Sequence, residues 1–447
     1  MKVQRKGRFE KVEVTADGNG LAAHAGSGLL VAVADKVGLT DAFCEELAQT
    51  RERRSAHDPG EVVRDLCVML ADGGDCVSDL GALRDQVDLF GQVASHATAF
   101  RVINSLSKDG MLDCLRAARA LARWRAWELG AKPERVVLDL DATLITSHSD
   151  KQQAAGNYKG GYGFHPMLCY LDGSQEALAG ILRPGNAGAN TAADQIDCLE
   201  RAFEQLPPSV LEAAELLLRT DSAGLCHDLL EYLNDRDVRF SVGMEMTEEV
   251  RQAVCQIADQ DWVRAVSADG DEREKAFVAE LSLELSGWPE GARAICRRER
   301  AHPGAQLSLI DTDGWRNQVF MTDQQDTDIA KLDLTHRGHA RVEDRIRCGK
   351  DSGLQNLPFH DFQLNAVWLE LCLATQDLIA WTQSLTLEGE LASAEPKRLR
   401  YRLLHQAGRI ARSARKTRLR LERTWPWAEA LAAAFARIQA LPSAPAP

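Results

Sequence analysis

The spacing of apolar residues predicts helices in the first third of the chain. Between residues 57 and 130, apolar positions recur three and four residues apart, as they do on one face of an amphipathic helix. Pro59 lies where the first of these helices is expected to begin, and Val62, Leu66 and Leu70 mark its buried face. We therefore predict a helical region that ends near residue 130.

Two shorter segments complete this N-terminal region. Residues 1–55 show little periodicity beyond the apolar run at 28–33, so we expect a loosely ordered arm or a small subdomain there. The segment 94–102, with Ser95 as a helix N-cap, is suited to open the recognition helix of a helix-turn-helix. Residues 1–130 are accordingly predicted to be a mostly helical DNA-binding region.

After residue 135 the apolar residues follow the period of strands. Three consecutive strands on short glycine-containing turns are predicted, which favours an antiparallel meander, and helices and strands then alternate. The predicted strands are 135–145, 162–171 and 177–183, followed by a helix at 191–205, a strand ending at 221, a helix at 224–235, a strand at 238–244 and a helix at 248–257.

Three strands followed by alternating helices and strands match a ribonuclease H-like layer, so the predicted fold class is mixed α/β. Residues 261–330 are again strand-like and are predicted to form a β-rich insertion. We therefore expect, after the N-terminal region, the first part of a ribonuclease H-like catalytic core (131–260), the insertion (261–330), the remainder of the core (331–385) and a basic helical C-terminal region (386–447).

Composition argues against several classes of protein. The chain has 447 residues and eleven cysteines, an odd number without a Cys-x-x-Cys pair, which disfavours a disulfide framework or a zinc site. There is no run of about 18 apolar residues, and the basic N-terminus lacks the apolar core of a signal peptide. We expect a cytoplasmic protein.

The net charge of −13 alone disfavours a nucleic-acid partner, but the distribution of charge favours one. Residues 397–423 carry eleven Lys and Arg against one acid, Glu422, so this segment has a net charge of +10 and the rest of the chain −23. Apolar residues recur within the segment at helical spacing. We predict a helix that packs on one face and contacts DNA phosphates with the other.

Three carboxylates carry the candidate chemistry. Asp141 and Asp221 each end an apolar run, and Glu343 lies in a charged helical stretch. Carboxylates from two strand ends and one helix can hold two divalent cations about 3.5 to 4 Å apart, which clamp the attacking and leaving oxygens of an in-line phosphoryl displacement. Asp139 points to the same face of its strand as Asp141, so either side chain can reach a metal. Lys350 follows Glu343 by two helical turns and faces the same groove, where it can hold a phosphate.

Three segments resemble the acidic motifs of DDE transposases from bacterial insertion sequences. They are Asp141-Ala142-Thr143, Thr220-Asp221-Ser222-Ala223-Gly224 and the helix from His336 to Lys350 that contains Glu343. The run 185–191 and the tail Arg423-Thr424-Trp425-Pro426-Trp427 further resemble the insertion-sequence family numbered thirteen-eighty, so the likeness covers nearly the whole chain.

The third motif departs from the pattern of the wider Tyr-Arg-Glu-Lys signature group. Glu343 and Lys350 are kept, but His336 stands where Tyr is usual and His339 where Arg is usual. The resemblance then leaves Arg337 or Arg341 to supply the missing phosphate contact.

The resemblance implies cut-and-paste DNA transposition. The transposon end is hydrolysed and the freed 3′-hydroxyl attacks target DNA, with two Mg²⁺ (or Mn²⁺) ions held by Asp141, Asp221 and Glu343. The implied partners are terminal inverted repeats, target DNA and a second subunit, since two ends must meet in a synaptic complex. Predicted DNA-binding residues are Lys350, His336, His339, Arg341, Arg409, Arg412, Arg415 and Lys416.

Two other functions stay open at this point. The run 136–144 also looks like the first motif of haloacid dehalogenase-type phosphatases, with Asp139 as nucleophile and Asp141 as acid/base. The meander predicted after residue 145 fits the helical cap and parallel sheet of such an enzyme poorly. The third possibility is a catalytically inactive DNA-binding protein, although all three acids and Lys350 are present.

Overall fold

Helices surround one large sheet in the computed structural model of the protein, which describes residues 12–50, 56–188, 191–213, 215–300, 314–413 and 416–442. The strands are β1 (Leu21–Ala22), β2 (Val136–Ala142), β3 (Ile145–Thr146), β4 (Ala155–Gly156), β5 (Tyr162–Phe164), β6 (Met167–Leu171), β7 (Ala177–Ile181), β8 (Leu216–Thr220), β9 (Arg239–Met244), β10 (Val263–Val266), β11 (Glu272–Leu281), β12 (Arg293–Arg300), β13 (Trp315–Thr322), β14 (Gly408–Ser413) and β15 (Lys416–Leu421). The helices are α1 (Gly28–Lys36), α2 (Leu39–Glu46), α3 (Pro59–Asp72), α4 (Gly81–Arg84), α5 (Val87–Phe90), α6 (His96–Leu106), α7 (Met111–Ala126), α8 (Ala192–Glu204), α9 (Pro208–Ala213), α10 (His227–Asp235), α11 (Glu248–Gln256), α12 (Ile329–Arg337), α13 (Arg341–Gly349), α14 (Phe362–Thr386), α15 (Pro396–Leu399) and α16 (Ala428–Ala440).

The fold is mixed α/β, and its sheet has nine strands in the order β10-β11-β12-β13-β9-β8-β2-β6-β7. β2, β6 and β7 form an antiparallel meander, and β8 and β9 lie parallel to β2 on its other side. β13, β12, β11 and β10 continue the same sheet in antiparallel pairing beyond β9. The strands between residues 261 and 330 therefore extend the central sheet. The strand expected at 307–310 lies outside the described residues.

The strand predicted at 162–171 is two strands, β5 and β6, that belong to different sheets. Pro166 lies between them, and a proline has no backbone N–H to continue a ladder. The turn from β6 to β7 matches the prediction, since Gly173 has a φ of 85°, which suits glycine.

The beginning of the chain corrects the prediction of a loosely ordered arm. α1 and α2 are helices that bury Leu29, Val33 and Phe43 in the main core. The spacing of residues 29, 33 and 37 is helical, but the segment is too short to separate a helix from a turn by sequence pattern. Residues 1–11 and 51–55 lie outside the described part of the chain.

α14 is the central helix, with 25 residues of which most are buried against α3, α7 and the sheet. It carries Glu370 and Asp377 into a core cluster of six charged side chains. The other members are Arg116, Arg119 and Arg123 on α7 and Glu176 just before β7. Asp377 Oδ2 accepts from Arg119 and Arg123 at 2.8 and 2.7 Å, and Arg123 reaches Glu176 at 3.0 Å. This cluster ties the N-terminal helices to the sheet.

The C-terminal basic segment corrects the prediction of a continuous helix. α15 and a wide helical turn over residues 400–404 are followed by β14 and β15, which form an antiparallel hairpin and pair with β1. Leu399 and Leu403 are buried at helical spacing, but beyond residue 408 the apolar residues alternate with polar ones, which is the period of a strand.

Candidate active site

Asp141 and Asp221 lie at the same edge of the central sheet. β2 and β8 are adjacent and parallel, with Asp139 paired to Arg219. Two residues further along the chain are Asp141, near the end of β2, and Asp221, the first residue after β8. Because parallel strands advance together, this register brings both carboxylates to neighbouring positions at the carboxyl ends of their strands.

Glu343 belongs to a helix that is fastened to this edge. It lies in the first turn of α13. Just before it, Arg341 donates to both carboxylate oxygens of Asp172, at 2.9 and 2.5 Å. His339 Nδ1 lies 2.9 Å from Asp139 Oδ1 on β2. The start of α13 is therefore held against β2 and the turn that follows β6.

The pKa of Asp141 shows that the three acids interact. Burial raises this pKa from 3.8 to about 6, and the charges of Asp221 and Glu343 act in the same direction, while His339 opposes them. Like charges that share a site disfavour the ionised form, and a bound cation relieves that repulsion. Asp221 and Glu343 thus lie close enough to Asp141 for their charges to act on it.

Local hydrogen bonds hold the two aspartates in place. Asp141 Oδ1 accepts from the N–H of Ala142 at 2.7 Å. Asp221 caps a short 3-10 turn, since its Oδ1 accepts from the N–H of Ala223 at 2.9 Å. β9 approaches this turn so closely that a Cβ on Gly243 would lie 2.8 Å from the backbone nitrogen of Ser222. Only glycine fits there without moving the turn that carries Asp221.

Two other groups of side chains have the spacing of a single-ion site. Among the described residues, the sets of three whose possible ligand atoms all lie within 4.8 Å of one another are His24, Asp72 and His405, and Asp75, Cys76 and Asp79. Asp141, Asp221 and Glu343 do not form a set of this kind.

Asp139 is part of the frame behind the site. It is buried, with 2% of its surface exposed. Arg219 donates to both of its oxygens, at 2.8 and 2.6 Å, and also to the backbone oxygen of Thr335 at 2.7 Å. With His339 as a further partner, both carboxylate oxygens of Asp139 already have partners within the protein. Its role is to join β2, β8 and the start of α13.

The two histidines of the third motif have different surroundings. His336 lies between β9 and β13: its ring stacks on Phe320 with a centroid distance of 4.3 Å, and its Nδ1 lies 3.0 Å from Ser241 Oγ. Burial lowers the pKa of His336 to about 3, so the ring is neutral at ordinary pH. These contacts within the protein explain the position of the His336 side chain without a contact to DNA. His339, by contrast, lies beside Asp141 at the acidic site.

Lys350 also reaches the acidic site. Its Nζ donates to the backbone oxygen of Leu144 at 3.1 Å, just past the end of β2. Burial lowers the pKa of Lys350, and the charges of Asp141 and Lys159 act on it in opposite directions. α13 ends at Gly349, and Lys350 continues its direction because the backbone leaves helical geometry only at Ser352 and Gly353.

The basic residues of the C-terminal hairpin are sorted by face. Side chains alternate across each strand, and Arg409 lies opposite Arg420. Four exposed basic side chains therefore lie on one face, which we call the cationic face of the hairpin: Arg409, Lys416, Arg418 and Arg420. Arg412 lies on the other face and pairs with Asp88 at 2.6 Å. Arg415 lies outside the described residues.

Several important residues were missed by the sequence reasoning. Arg219 and Asp172 complete the frame around Asp139, with Arg219 Nη2 2.9 Å from Asp172 Oδ2. A charged residue inside the apolar run 216–220 was the available signal for Arg219, since a buried arginine needs a carboxylate partner. Arg418 and Arg420 were counted as basic but could be assigned to a surface only once the hairpin register was known.

Comparisons with known proteins give the family. Within the described residues, no helix combines the length and apolar character needed to cross a bilayer. No curated protein matches the chain significantly. A solved structure described as "Cryo-EM structure of piggyBac transposase synaptic complex with hairpin DNA (SNHP)" aligns with a TM-score of 0.42 and 10% identity over 85% of this chain and 80% of that chain. That likeness is too low to carry weight. The family model "Transposase DDE domain group 1" matches residues 4–443, nearly the whole length, and the chain therefore belongs to this family of DDE-domain transposases.

Proposed function

We propose that this protein is an insertion-sequence transposase that cleaves DNA at the element's ends and joins them to a target by cut-and-paste transposition. The observation that carries the proposal is the parallel register of β2 and β8, which brings Asp141 and Asp221 to one edge of the sheet, where the start of the helix that bears Glu343 is held. Family membership supports the same function. Phosphoryl transfer needs positioning and charge neutralisation more than covalent chemistry, and a carboxylate site of this kind supplies both through bound cations.

The strand order supports a ribonuclease H-like catalytic core. β7, β6 and β2 are antiparallel neighbours, and β8 and β9 are added parallel to β2. In this arrangement the first and fourth strands of the core lie side by side, and each delivers one aspartate. β10 to β13 then extend the sheet as the insertion before the helix that carries Glu343.

The donor set fits two Mg²⁺ or Mn²⁺ ions. Asp141, Asp221 and Glu343 would hold them, since hard cations prefer carboxylate oxygens. When bound, the ions would activate a water or the 3′-hydroxyl of the DNA as nucleophile and would neutralise the charge that develops on the phosphate. Burial raises the pKa of Asp141 most, and the charges of Asp221 and Glu343 add to this effect. A bound cation would oppose both causes.

The neighbouring side chains position this site and its DNA. Asp139 and Arg219 fix the ends of β2 and β8 relative to His339 and the start of α13. Lys350 supplies a cation on the other side of Asp141, where it can hold a phosphate as a point charge. The cationic face of the hairpin would bind the backbone of the terminal repeat, in a complex that two subunits form on paired ends.

A strand-cleavage assay tests the proposal. The purified protein is incubated with end-labelled DNA containing the junctions that flank its gene, with Mg²⁺, and nicks are mapped. We expect metal-dependent nicks at the element's ends, and Asp221→Asn should reduce their rate by about a thousandfold or more, as losing a central electrostatic group does in other active sites. The control is Asp228→Asn, an exposed carboxylate on α10.

The same assay separates the alternatives. A phosphatase that used Asp139 as nucleophile would release phosphate from a small phosphoester and lose that activity completely in Asp139→Asn. We expect Asp139→Asn to slow nicking less than Asp141→Asn does, because Asp139 is occupied by Arg219 and His339. An inactive DNA-binding protein would retain the end DNA in a mobility shift and leave it intact with every metal tested.

A further inference from the structure

Three side chains of the kinds that bind metals meet at the base of the C-terminal hairpin. They are His24, Asp72 and His405, whose possible ligand atoms all lie within 4.8 Å of one another. His24 immediately precedes the helical turn that leads into α1, Asp72 is the last residue of α3, and His405 follows the wide helical turn at 400–404. Three distant parts of the chain therefore converge here, and the proposed active site uses none of them.

Asp72 is the centre of this group. Only 7% of the residue is exposed. Its Oδ2 lies 2.5 Å from His24 Nδ1, and its Oδ1 lies 3.3 Å from His405 Nε2. Ser27 Oγ donates to Oδ1 at 2.5 Å, in the way that neighbouring hydrogen bonds orient the carboxylate ligands of metals. One buried and oriented carboxylate is thus shared by two imidazoles.

The two imidazole rings lie face to face. Their centroids are 4.2 Å apart, and their planes are 22° from parallel. The side chains of His24 and His405 are 28% and 39% exposed, so an ion can reach them from solvent. A neutral imidazole offers one nitrogen as a metal ligand, and each ring already directs one nitrogen at Asp72.

The backbone holds the two histidine-bearing segments together. A Cβ on Gly26 would lie 2.0 Å from the backbone oxygen of Leu403, so only glycine permits this close approach. Beside it, the N–H of Ala25 donates to the backbone oxygen of Gln406 at 2.9 Å. The ligands are therefore brought together by the fold itself, which lowers the cost of ordering them around an ion.

The end of α3 is a favourable place for a cation. The carbonyl groups at the C-terminus of a helix carry partial negative charge, and the Asp72 carboxylate adds to it. Arg400 meets this end of the helix at the backbone oxygen of Ala71, at 3.3 Å. The carboxylate itself is met by Ser27 and the two histidines. A divalent cation between them would offset both the carboxylate and the helix end.

The ligand types select the ion. Two imidazole nitrogens and one carboxylate suit Zn²⁺, whereas Mg²⁺ prefers oxygen ligands. Tetrahedral zinc with bonds of about 2.1 Å separates its ligand atoms by about 3.4 Å, so the His24 ring would move away from Asp72 by about 1 Å on binding. A cavity of about 560 Å³ that His405 helps to line has room for a water as fourth ligand. The set contains no cysteine, so the cysteine pattern does not bear on it.

We propose that His24, Asp72 and His405 form a zinc site that fastens the C-terminal hairpin to the helical core. β1 pairs with β14 close to the two histidines, with Leu21 opposite Arg409. An ion at this place links both strands to the end of α3. The inference goes beyond the proposed function and does not depend on it, because zinc binding can be measured without DNA.

The zinc content of the full-length protein tests the site. Protein stripped with a chelator is incubated with Zn²⁺ in excess Mg²⁺, which competes for the acidic site, and the bound zinc is measured by mass spectrometry. We expect about one zinc ion per chain. His24→Gln and His405→Gln keep a hydrogen-bonding side chain but remove the imidazole ligand. Each should weaken zinc affinity by about a hundredfold or more, because losing a residue that merely orients a ligand already costs about 10- to 100-fold.

Two controls separate this site from other positions. His96→Gln removes an exposed histidine at the start of α6 and should leave zinc binding unchanged. Asp221→Asn alters the acidic site and should also retain the zinc. With Co²⁺ in place of zinc, the intense visible absorption of four-coordinate cobalt should persist in Asp221→Asn and disappear in His405→Gln.

Thermal melting gives a measurement without spectroscopy of the metal. Zinc at about a hundredfold excess over its Kd should raise the Tm of the wild type by about 3 °C, because it binds only the folded state. His24→Gln and His405→Gln should show no such rise, and in a chelator they should melt close to the wild type.

The outcomes are distinct. A wild type that holds no zinc would show that the three side chains form only a hydrogen-bonded network, and the proposal would be overturned. Zinc that both histidine variants retain and Asp221→Asn loses would assign the ion to the acidic site, with the same consequence. If a histidine variant does not fold, the cobalt spectrum of Asp221→Asn decides, since absence of the four-coordinate bands there overturns the proposal. Strand cleavage is measured separately, so neither failure implies the other.

Discussion

The core cluster and the acidic edge of the sheet use charged residues in opposite ways. In the core cluster three arginines meet three carboxylates, and each charge has a partner of opposite sign. At the acidic edge Asp141 has two carboxylates for neighbours, and its pKa is raised. In the first arrangement the two signs of charge alternate, whereas in the second like charges act on one another and a bound cation would relieve their repulsion. Carboxylates gathered together, rather than charge as such, are what we propose as the mark of the functional site.

Removing one charge from the core cluster should have the largest effect on stability. Asp377→Asn keeps the shape of the side chain but leaves Arg119 and Arg123 without a shared partner in a buried environment. Breaking a buried ion pair in this way costs about 3 to 5 kcal/mol in the free energy of unfolding. Urea denaturation measures the loss. The control is Asp344→Asn, which removes an exposed partner of Arg347 and should change the free energy by less than about 1 kcal/mol.

Removing a charge from the acidic edge should act in the opposite direction. The pKa of Asp141 is raised to about 6 in the folded protein from 3.8, so the folded state holds this proton more tightly than the unfolded state. Its contribution to stability is therefore complete below about pH 4 and is lost as the pH rises through about 6. Asp141→Asn, which is neutral throughout, should stabilise the metal-free protein by about 2 kcal/mol near neutral pH and make little difference at acid pH.

Denaturation in a chelator across this pH range measures the difference between Asp141→Asn and wild type. Asp235→Asn, at an exposed position on α10, serves as control and should show no pH-dependent gain. A destabilised Asp141→Asn at neutral pH would mean that Asp141 is compensated in the way the core cluster is. Added Mg²⁺ should stabilise wild type more than the variant, because only wild type retains all three carboxylates.

The sequence could predict the strand ends that carry Asp141 and Asp221 because strand geometry is local. Apolar runs that end in Asp141 and Asp221 fix two strand ends, and the order of elements indicates that these strands are neighbours. It could not predict that Asp139 is occupied, since its partners Arg219 and His339 lie 80 and 200 residues away in sequence. His336 was predicted to bind DNA because of its place in the third motif, but its environment is set by Phe320 on β13 and Ser241 on β9.

The basic segment shows a different limit of sequence pattern. Helical spacing holds through Leu403, and the alternation that defines β14 and β15 begins only at Gly408. A count of basic residues does not depend on the period of the apolar residues. The segment was therefore recognised as basic, while the prediction of its secondary structure was wrong. The hairpin changes which cations act together, because it collects Arg409 and Arg420 on one face and turns Arg412 to the other.

Changes in the cationic face of the hairpin should have the smallest effects, because its charges are exposed. Arg409 and Arg420 lie directly opposite each other, and neither is paired with a carboxylate in the described part of the chain. If they bind phosphates, each change to Gln should lower the magnitude of the slope of log affinity against log salt by about 1, and weaken binding several-fold at low salt. Arg347→Gln is the matched control, because Arg347 is equally exposed but already paired with Asp344 and Glu395. If Arg347→Gln and Arg409→Gln lower the salt-dependence slope equally, then exposure alone, and not the lack of an internal partner, decides which basic side chains contact DNA.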